Sequence, residues 1–151
     1  MEKIKSFTIN HDILNEGIYF GGANGDVDTY DLRITKPNVY FMDIAAMHSI
    51  EHLFATFARD KYKEHIIYFG PMGCRTGFYL LTRGLDSCQV ITLIRETFEF
   101  IANFYGELPG STSIECGNFR EHNVSLAKKI AEKYLRIIAD YTVDQLSYPV
   151  E

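Results

Sequence analysis

From Asp43 to Tyr62 the chain reads D-I-A-A-M-H-S-I-E-H-L-F-A-T-F-A-R-D-K-Y. The pattern is helical. Asp43 is a good N-cap, and Ile44, Met47, Leu53, Phe54, Phe57 and Ala58 recur at helical spacings. Inside the stretch sit His48, Glu51 and His52. On a helix, positions 48 and 52 are one turn apart and position 51 lies beside them, so two imidazoles and a carboxylate leave one face within reach of a common point. Such a histidine pair can bind one metal ion through two nitrogens, and the glutamate can carry protons or orient a ligand beside it.

Composition bounds the rest. With 151 residues, 46% hydrophobic and 14% aromatic, the chain has the size and apolar content of one domain with a single core, taken as residues 1–151. The net charge is −5 without a basic run, which speaks against nucleic acid as a partner. No apolar run reaches ~18 residues, so no membrane span is expected. The N-terminal M-E-K-I-K-S-F has no apolar signal region, which predicts an intracellular, cytoplasmic protein. The cysteines are three, Cys74, Cys88 and Cys116. An odd number without a signal region argues against a disulfide framework and for buried, ligating or catalytic thiols.

Along the chain, residues 1–20 read as extended, with Ser6 and His11 as polar residues near the terminus, and Gly21 to Asp26 form a glycine-rich turn. Residues 27–35 alternate as a strand, with Tyr30, Leu32 and Ile34 on one face and Asp31 and Arg33 on the other, antiparallel to the strand before it. Arg33 on that second face is an ordinary solvated charge unless the face lines a cleft. After the histidine-bearing helix come a short strand from His65 to Phe69, a Gly/Pro turn carrying Cys74 and Arg75, and a strand from Phe78 to Thr82. Turn amides and Arg75 would favour a thiolate at Cys74. A second amphipathic helix is predicted from Ser87 to Tyr105, with Ile91, Ile94, Phe98, Ala102 and Tyr105 inward, Cys88 as packing and Gly106 as C-cap. Residues 106–122 are a loop in which Gly117 leaves Cys116 unhindered. His122 and His65 read as packing or capping residues. The last helix runs from about Ser125 to Tyr141, with Leu126, Ile130, Tyr134, Ile137 and Ile138 inward. Strands and helices in this order predict a two-layer α+β domain whose mainly antiparallel sheet is covered by helices.

Two histidines from one helix leave a metal site incomplete. Cys116 is the best third ligand by its loop context, giving a His₂Cys site with one open position, the arrangement of a catalytic rather than a structural metal. Nitrogen and sulfur ligands suit Zn²⁺ or Fe²⁺. Cys74 is then free, with Glu51, to move protons.

The runs H-S-I-E-H, P-M-G-C-R-T-G-F-Y and E-C-G, with an early S-F-x-x-x-H and a D-L-R strand, resemble the S-ribosylhomocysteine lyase (LuxS) family over nearly the whole chain. The Pro71-to-Tyr79 run is far more specific than the metal motif. The resemblance implies a LuxS/pitrilysin-like metalloenzyme fold and cleavage of S-ribosylhomocysteine to homocysteine and 4,5-dihydroxy-2,3-pentanedione, the precursor of autoinducer-2 in quorum sensing. By similarity, His48, His52 and Cys116 bind Fe²⁺, which Zn²⁺ or Co²⁺ can replace. Glu51 and Cys74 match the acid/base pair. Ser6, His11 and Arg33 match residues that hold the ribose, and Arg59 one near the amino-acid end of the substrate. The resemblance also implies a homodimer with both sites at the subunit interface, each completed by the partner's N-terminal segment. One departure is clear: Tyr68-Phe69-Gly70 stand where the family has Asp-Ile-Ser, so a carboxylate near the substrate's amino group is missing. A paralogue with altered substrate is therefore an alternative. Others are a pitrilysin-like metallopeptidase, in which Glu51 would activate water, and a metal-stapled binding protein with a closed four-ligand site.

Overall fold

The hairpin that opens the sheet turns at Gly25, whose φ of 63° is a left-handed conformation that glycine adopts without strain. It joins β1 (Gly17–Asn24) to β2 (Val27–Arg33). In the computed structural model, which describes residues 1–151, there follow α1 (Ile44–Tyr62), β3 (Ile66–Pro71), β4 (Gly77–Arg83), α2 (Ser87–Ala102) and α3 (Val124–Ile138). The strands form one sheet in the order β1-β2-β4-β3, every neighbouring pair antiparallel. The predicted two-layer α+β architecture is thus the observed one. No helix is long and apolar enough to cross a membrane.

Strand alternation gives the sheet two faces. Ile18, Tyr30, Leu32, Phe69, Phe78 and Leu80 belong to the core shared with the helices. In it Phe54 of α1 stacks on Phe69 at 3.8 Å, and Phe69 on Phe78 at 4.9 Å. The opposite face carries Asp31 and Arg33. It is not solvated: Asp31 is 0% and Arg33 2% exposed. The C-terminal tail covers them, with Tyr148 stacked on Tyr19 at 5.0 Å and its hydroxyl donating to Asp31 Oδ2 at 2.9 Å.

Helix α1 starts as expected, the Asp43 carboxylate accepting the Ala46 N–H at 2.9 Å. Its buried stripe is Ala46, Met47, Ile50, Leu53, Phe54 and Ala58. Ile44 is instead exposed, and Phe57 is half-buried against Phe100.

Elsewhere the structure corrects local expectations. Residues 1–20 are not extended throughout: Lys5–Phe7 form a 3₁₀ turn, and β1 begins only at Gly17. Gly21 and Gly22 lie inside β1, where the register shifts between Phe20 and Gly22, and the turn proper is shorter than predicted. Helix α2 stops at Ala102, because Asn103 caps it by donating from its backbone and side chain to Glu99 O. Tyr105 is therefore exposed and Gly106 lies beyond the cap. Cys88 does not pack; it is exposed in the first turn of α2. The fully buried stripe of α3 is Ala127, Ala131, Tyr134 and Ile138, with Ile130 and Ile137 only partly buried at its flank. Small alanines let α3 lie close to α2, while the Tyr134 hydroxyl donates to Gly17 O at 2.7 Å.

Candidate active site

The first cluster forms where α1 meets the loop between α2 and α3. Cys116 Sγ lies 3.4 Å from His48 Nε2 and 3.9 Å from His52 Nε2. The far nitrogen of each imidazole is fixed by a loop carbonyl: His48 Nδ1 donates to Glu121 O at 2.8 Å, and His52 Nδ1 to Pro109 O at 2.9 Å. Each ring therefore carries its proton on Nδ1 and turns a bare Nε2 toward the thiol. This is the tautomer, and the carbonyl contact behind the ring, that metal-binding histidines use. The two rings meet edge to face, with centroids 4.6 Å apart and planes at 89°, so their in-plane lone pairs can converge. Two imidazole nitrogens and a sulfur match a borderline-soft divalent cation.

The structure adds a residue that sequence reasoning assigned to packing. His122 joins His48, His52 and Cys116, with one donor atom of each within 4.8 Å of all the others. Its ring stacks on His48 at 3.9 Å with planes at 21°, and its Nδ1 lies 3.2 Å from Ser49 Oγ. Burial, together with His48 and His52, pushes the imidazole of His122 down to about 4, so it is neutral at physiological pH. Its place in the same loop as Cys116, next to the N-cap Asn123, was the available signal. His65 does pack as expected, its Nδ1 donating to Arg83 O at 2.7 Å.

A second group of residues surrounds Cys74. Arg33 Nη2 donates to Asp31 Oδ2 at 2.6 Å and Nη1 to Thr76 Oγ1 at 2.7 Å. Thr76 Oγ1 lies 3.1 Å from Cys74 Sγ. With Arg33 donating into the threonine oxygen, the threonine proton is left for the sulfur, so Asp31, Arg33 and Thr76 form a line of polarised hydrogen bonds ending at the thiol. Burial works against the Arg33 charge, but Asp31 outweighs it and holds the guanidinium's pKa above its ordinary value. Burial and Asp31 both raise the Tyr148 phenol. The backbone here is strained, Arg75 having a φ of 63° without being glycine. Cys74 and Thr76 share a cavity of about 230 Å³ with His11, Tyr40 and Phe41, and Arg75 lies over the Phe41 ring at 4.5 Å.

Ser6 lines a neighbouring cavity of about 290 Å³ with Tyr79 and Tyr148, over the same polar sheet face. Glu51 is half-buried beside His52. Arg59 is exposed, seven positions after His52 and so about 10 Å further along the helix axis. Within one chain the predicted residues thus fall into two sets. The His/His/Cys cluster sits with Glu51 on α1, over the apolar face of the sheet. Cys74, His11 and Arg33 sit around the opposite face. Thr76, Asp31 and Tyr148 complete the second set, and only the charge pattern of the D-L-R strand hinted at one of them.

The donor cluster and the thiol cavity can be set beside known proteins. Residues 4–144 match the family model described as S-Ribosylhomocysteinase (LuxS). The chain is 48% identical over 155 residues to an S-ribosylhomocysteine lyase of Finegoldia magna, covering 99% of both chains. It is 45% identical over 157 residues to that of Clostridium acetobutylicum, with 99% of both chains covered. It is 43% identical over 158 residues to that of Desulfotalea psychrophila, again at 99% of both.

Proposed function

Because this chain belongs to the S-ribosylhomocysteinase (LuxS) family, and is by that membership an S-ribosylhomocysteine lyase, we propose how its own residues divide the work. The reaction releases homocysteine and 4,5-dihydroxy-2,3-pentanedione. The sulfur leaves from C5 of the sugar, so elimination needs an acidic proton on C4, and that proton is acidic only beside a carbonyl at C3. The aldehyde starts at C1. The carbonyl must therefore move to C2 and then to C3, each move taking a proton from one carbon and delivering one to its neighbour.

His48, His52 and Cys116 hold a divalent cation, which when bound supplies Lewis-acid polarisation of the sugar's oxygens. We assign Fe²⁺ as the native ion, with Zn²⁺ or Co²⁺ able to replace it, from the N₂S donor set and the family. Glu51 takes and returns protons from the α1 side of the sugar. Cys74 does so from the other, its thiol held by the hydroxyl of Thr76. Ser6, His11 and Arg33 hold the ribose, and Arg59 reaches for the amino-acid end. The residues 68–70, without the family's carboxylate, leave the ammonium group to other contacts.

The two sets of residues occupy opposite faces of one chain's sheet, which supports a homodimer in which the thiol half of one subunit faces the metal half of the other. Phe7, Val39, Tyr40, Phe41 and Ile44 flank these halves, and each is at least 48% exposed, an apolar surface suited to a second copy. The whole chain is read as one catalytic domain acting in the cytoplasm on a small-molecule substrate, with its product feeding autoinducer-2.

The observation that carries this assignment is the convergence of two Nε2 lone pairs on Cys116 Sγ. It is tested by a thiol-release assay with S-ribosylhomocysteine, combined with hybrid dimers. Mixing Cys74→Ala with Cys116→Ala subunits regenerates one intact site per hybrid if the halves come from different chains. No recovery of activity on mixing would refute the division between subunits. Absence of thiol release by the wild-type, metal-loaded protein would refute the activity itself.

A further inference from the structure

Ser49 is fully buried on α1, and its hydrogen bonds can be counted. Its hydroxyl donates to Ala45 O at 3.1 Å and accepts the Asn123 N–H at 2.9 Å. With that proton on Ala45 O, Ser49 Oγ accepts from His122 Nδ1, 3.2 Å away. His122 is therefore protonated on Nδ1. Its Nε2 is a bare lone pair, and that atom is buried with no hydrogen-bond partner in the chain. A buried acceptor left unpaired is costly, and such an atom inside a functional cluster calls for an occupant.

The stacking of His122 on His48 argues against the metal as that occupant. An imidazole ligates through a lone pair in its own ring plane. His48 and His52, at 89°, can each point such a lone pair at one ion. His122 lies flat on His48, with centroids 3.9 Å apart and planes at 21°. An ion held in the plane of His48 would lie off the plane of His122, so the His122 lone pair would run alongside it.

We propose that His122 is a substrate-contacting residue of the lyase: its Nε2 accepts a hydrogen bond from a sugar hydroxyl beside the metal position. This rests on the assignment of His48, His52 and Cys116 as ligands and of the ribosyl thioether as substrate. The vicinal hydroxyls of the sugar supply the donors. An Nε2 that only accepts also selects the orientation in which a hydroxyl, rather than the carbonyl, faces it.

The test separates acceptor, ligand and scaffold. Nitrogen-15 NMR of the histidine rings in the metal-free protein is expected to show His122 as the Nδ1–H tautomer, and the Nε2–H tautomer would overturn the proposal. His122→Asn keeps a polar group at the Nδ1 position and loses the one at Nε2, whereas His122→Gln places an amide oxygen near Nε2. Both variants are expected to bind Co²⁺, titrated against a chelator, within about threefold of wild type and with an unchanged visible spectrum. In His122→Asn, kcat/KM should fall about tenfold, the value of one hydrogen bond, and His122→Gln should recover most of it. Lost cobalt affinity or an altered spectrum would make His122 a ligand, and full kcat/KM in His122→Asn would leave it a packing residue; either overturns the proposal. Wild-type protein that binds cobalt and shows the predicted tautomer but releases no homocysteine would instead refute the substrate assignment on which the contact rests.

Discussion

Thr76→Val exchanges a hydroxyl for a methyl of nearly the same volume at a position 6% exposed. The structure says what is lost. Arg33, 2% exposed, has Asp31 and Thr76 as its hydrogen-bond partners, and its Nε already has none. Removing Thr76 Oγ1 takes away a 2.7 Å bond to a charged donor that water cannot replace. Hydrogen bonds to charged groups contribute about 1.5–3 kcal/mol, and for a chain of this size each kcal/mol moves the midpoint by roughly 2–4 °C, so the melting temperature should fall by about 3–12 °C. The same substitution removes the hydroxyl 3.1 Å from Cys74 Sγ, so homocysteine release should fall about tenfold. The metal cluster lies elsewhere and its occupancy should not change. The assay is thermal unfolding and turnover of wild type, Thr76→Val and Thr76→Ser, metal-loaded and at one protein concentration, because binding and assembly also shift midpoints. Thr76→Ser keeps the oxygen and should sit near wild type in both. A Thr76→Val protein as stable and as active as wild type would refute the polarised line from Asp31 to the thiol.

The other perturbations divide the site by function. Cys116→Ala should lose bound metal while the core remains folded, read by metal analysis and circular dichroism. Cys74→Ala and Glu51→Gln should abolish homocysteine release with metal content intact; turnover retained by Cys74→Ala would remove it as a proton carrier. Gly110 has a φ of 71°, and a Cβ there would lie 3.1 Å from His52 Nδ1, so Gly110→Ala both strains the loop and presses on the His52 ring. It should weaken metal binding at least tenfold in a chelator competition, whereas Gly117→Ala, with open space at its Cβ, should not.

Legibility in the sequence followed the range of the interactions. Helix α1, its Asp43 cap and the shared face of His48 and His52 were readable because cap, stripe and motif are all set by neighbours within a turn. Helix α2 was overrun to Tyr105, since the apolar pattern continues past the Asn103 side chain that ends the helix. Arg33 looked like a surface charge because alternation gives the face of a strand and not what covers it; the cover is Tyr148, more than a hundred residues away. His122 escaped for the same reason. Its contacts are with Ser49 and His48 across the fold, and only the loop it shares with Cys116 separated it locally from His65, which packs.

The arrangement also explains how an irregular loop can carry a proposed ligand. Residues 103–123 contain no helix or strand, a length at which a connection is usually functional. What fixes the loop is α1 itself. His48 and His52 donate to its carbonyls at Glu121 and Pro109, and Ser49 and Ala45 O accept the N–H of Asn123. The bonds that set the histidine tautomers are the ones that hold Cys116 in place, so loop order and metal affinity are one equilibrium. The thiol half is built differently, as a buried charged line beneath the sheet, indifferent to the metal. Moving a proton at one sugar carbon while polarising its neighbour needs both halves at once, and one chain places them on opposite faces of its sheet. On the proposed arrangement a lone subunit therefore holds every reacting group and no complete site, and assembly of two copies creates the catalyst.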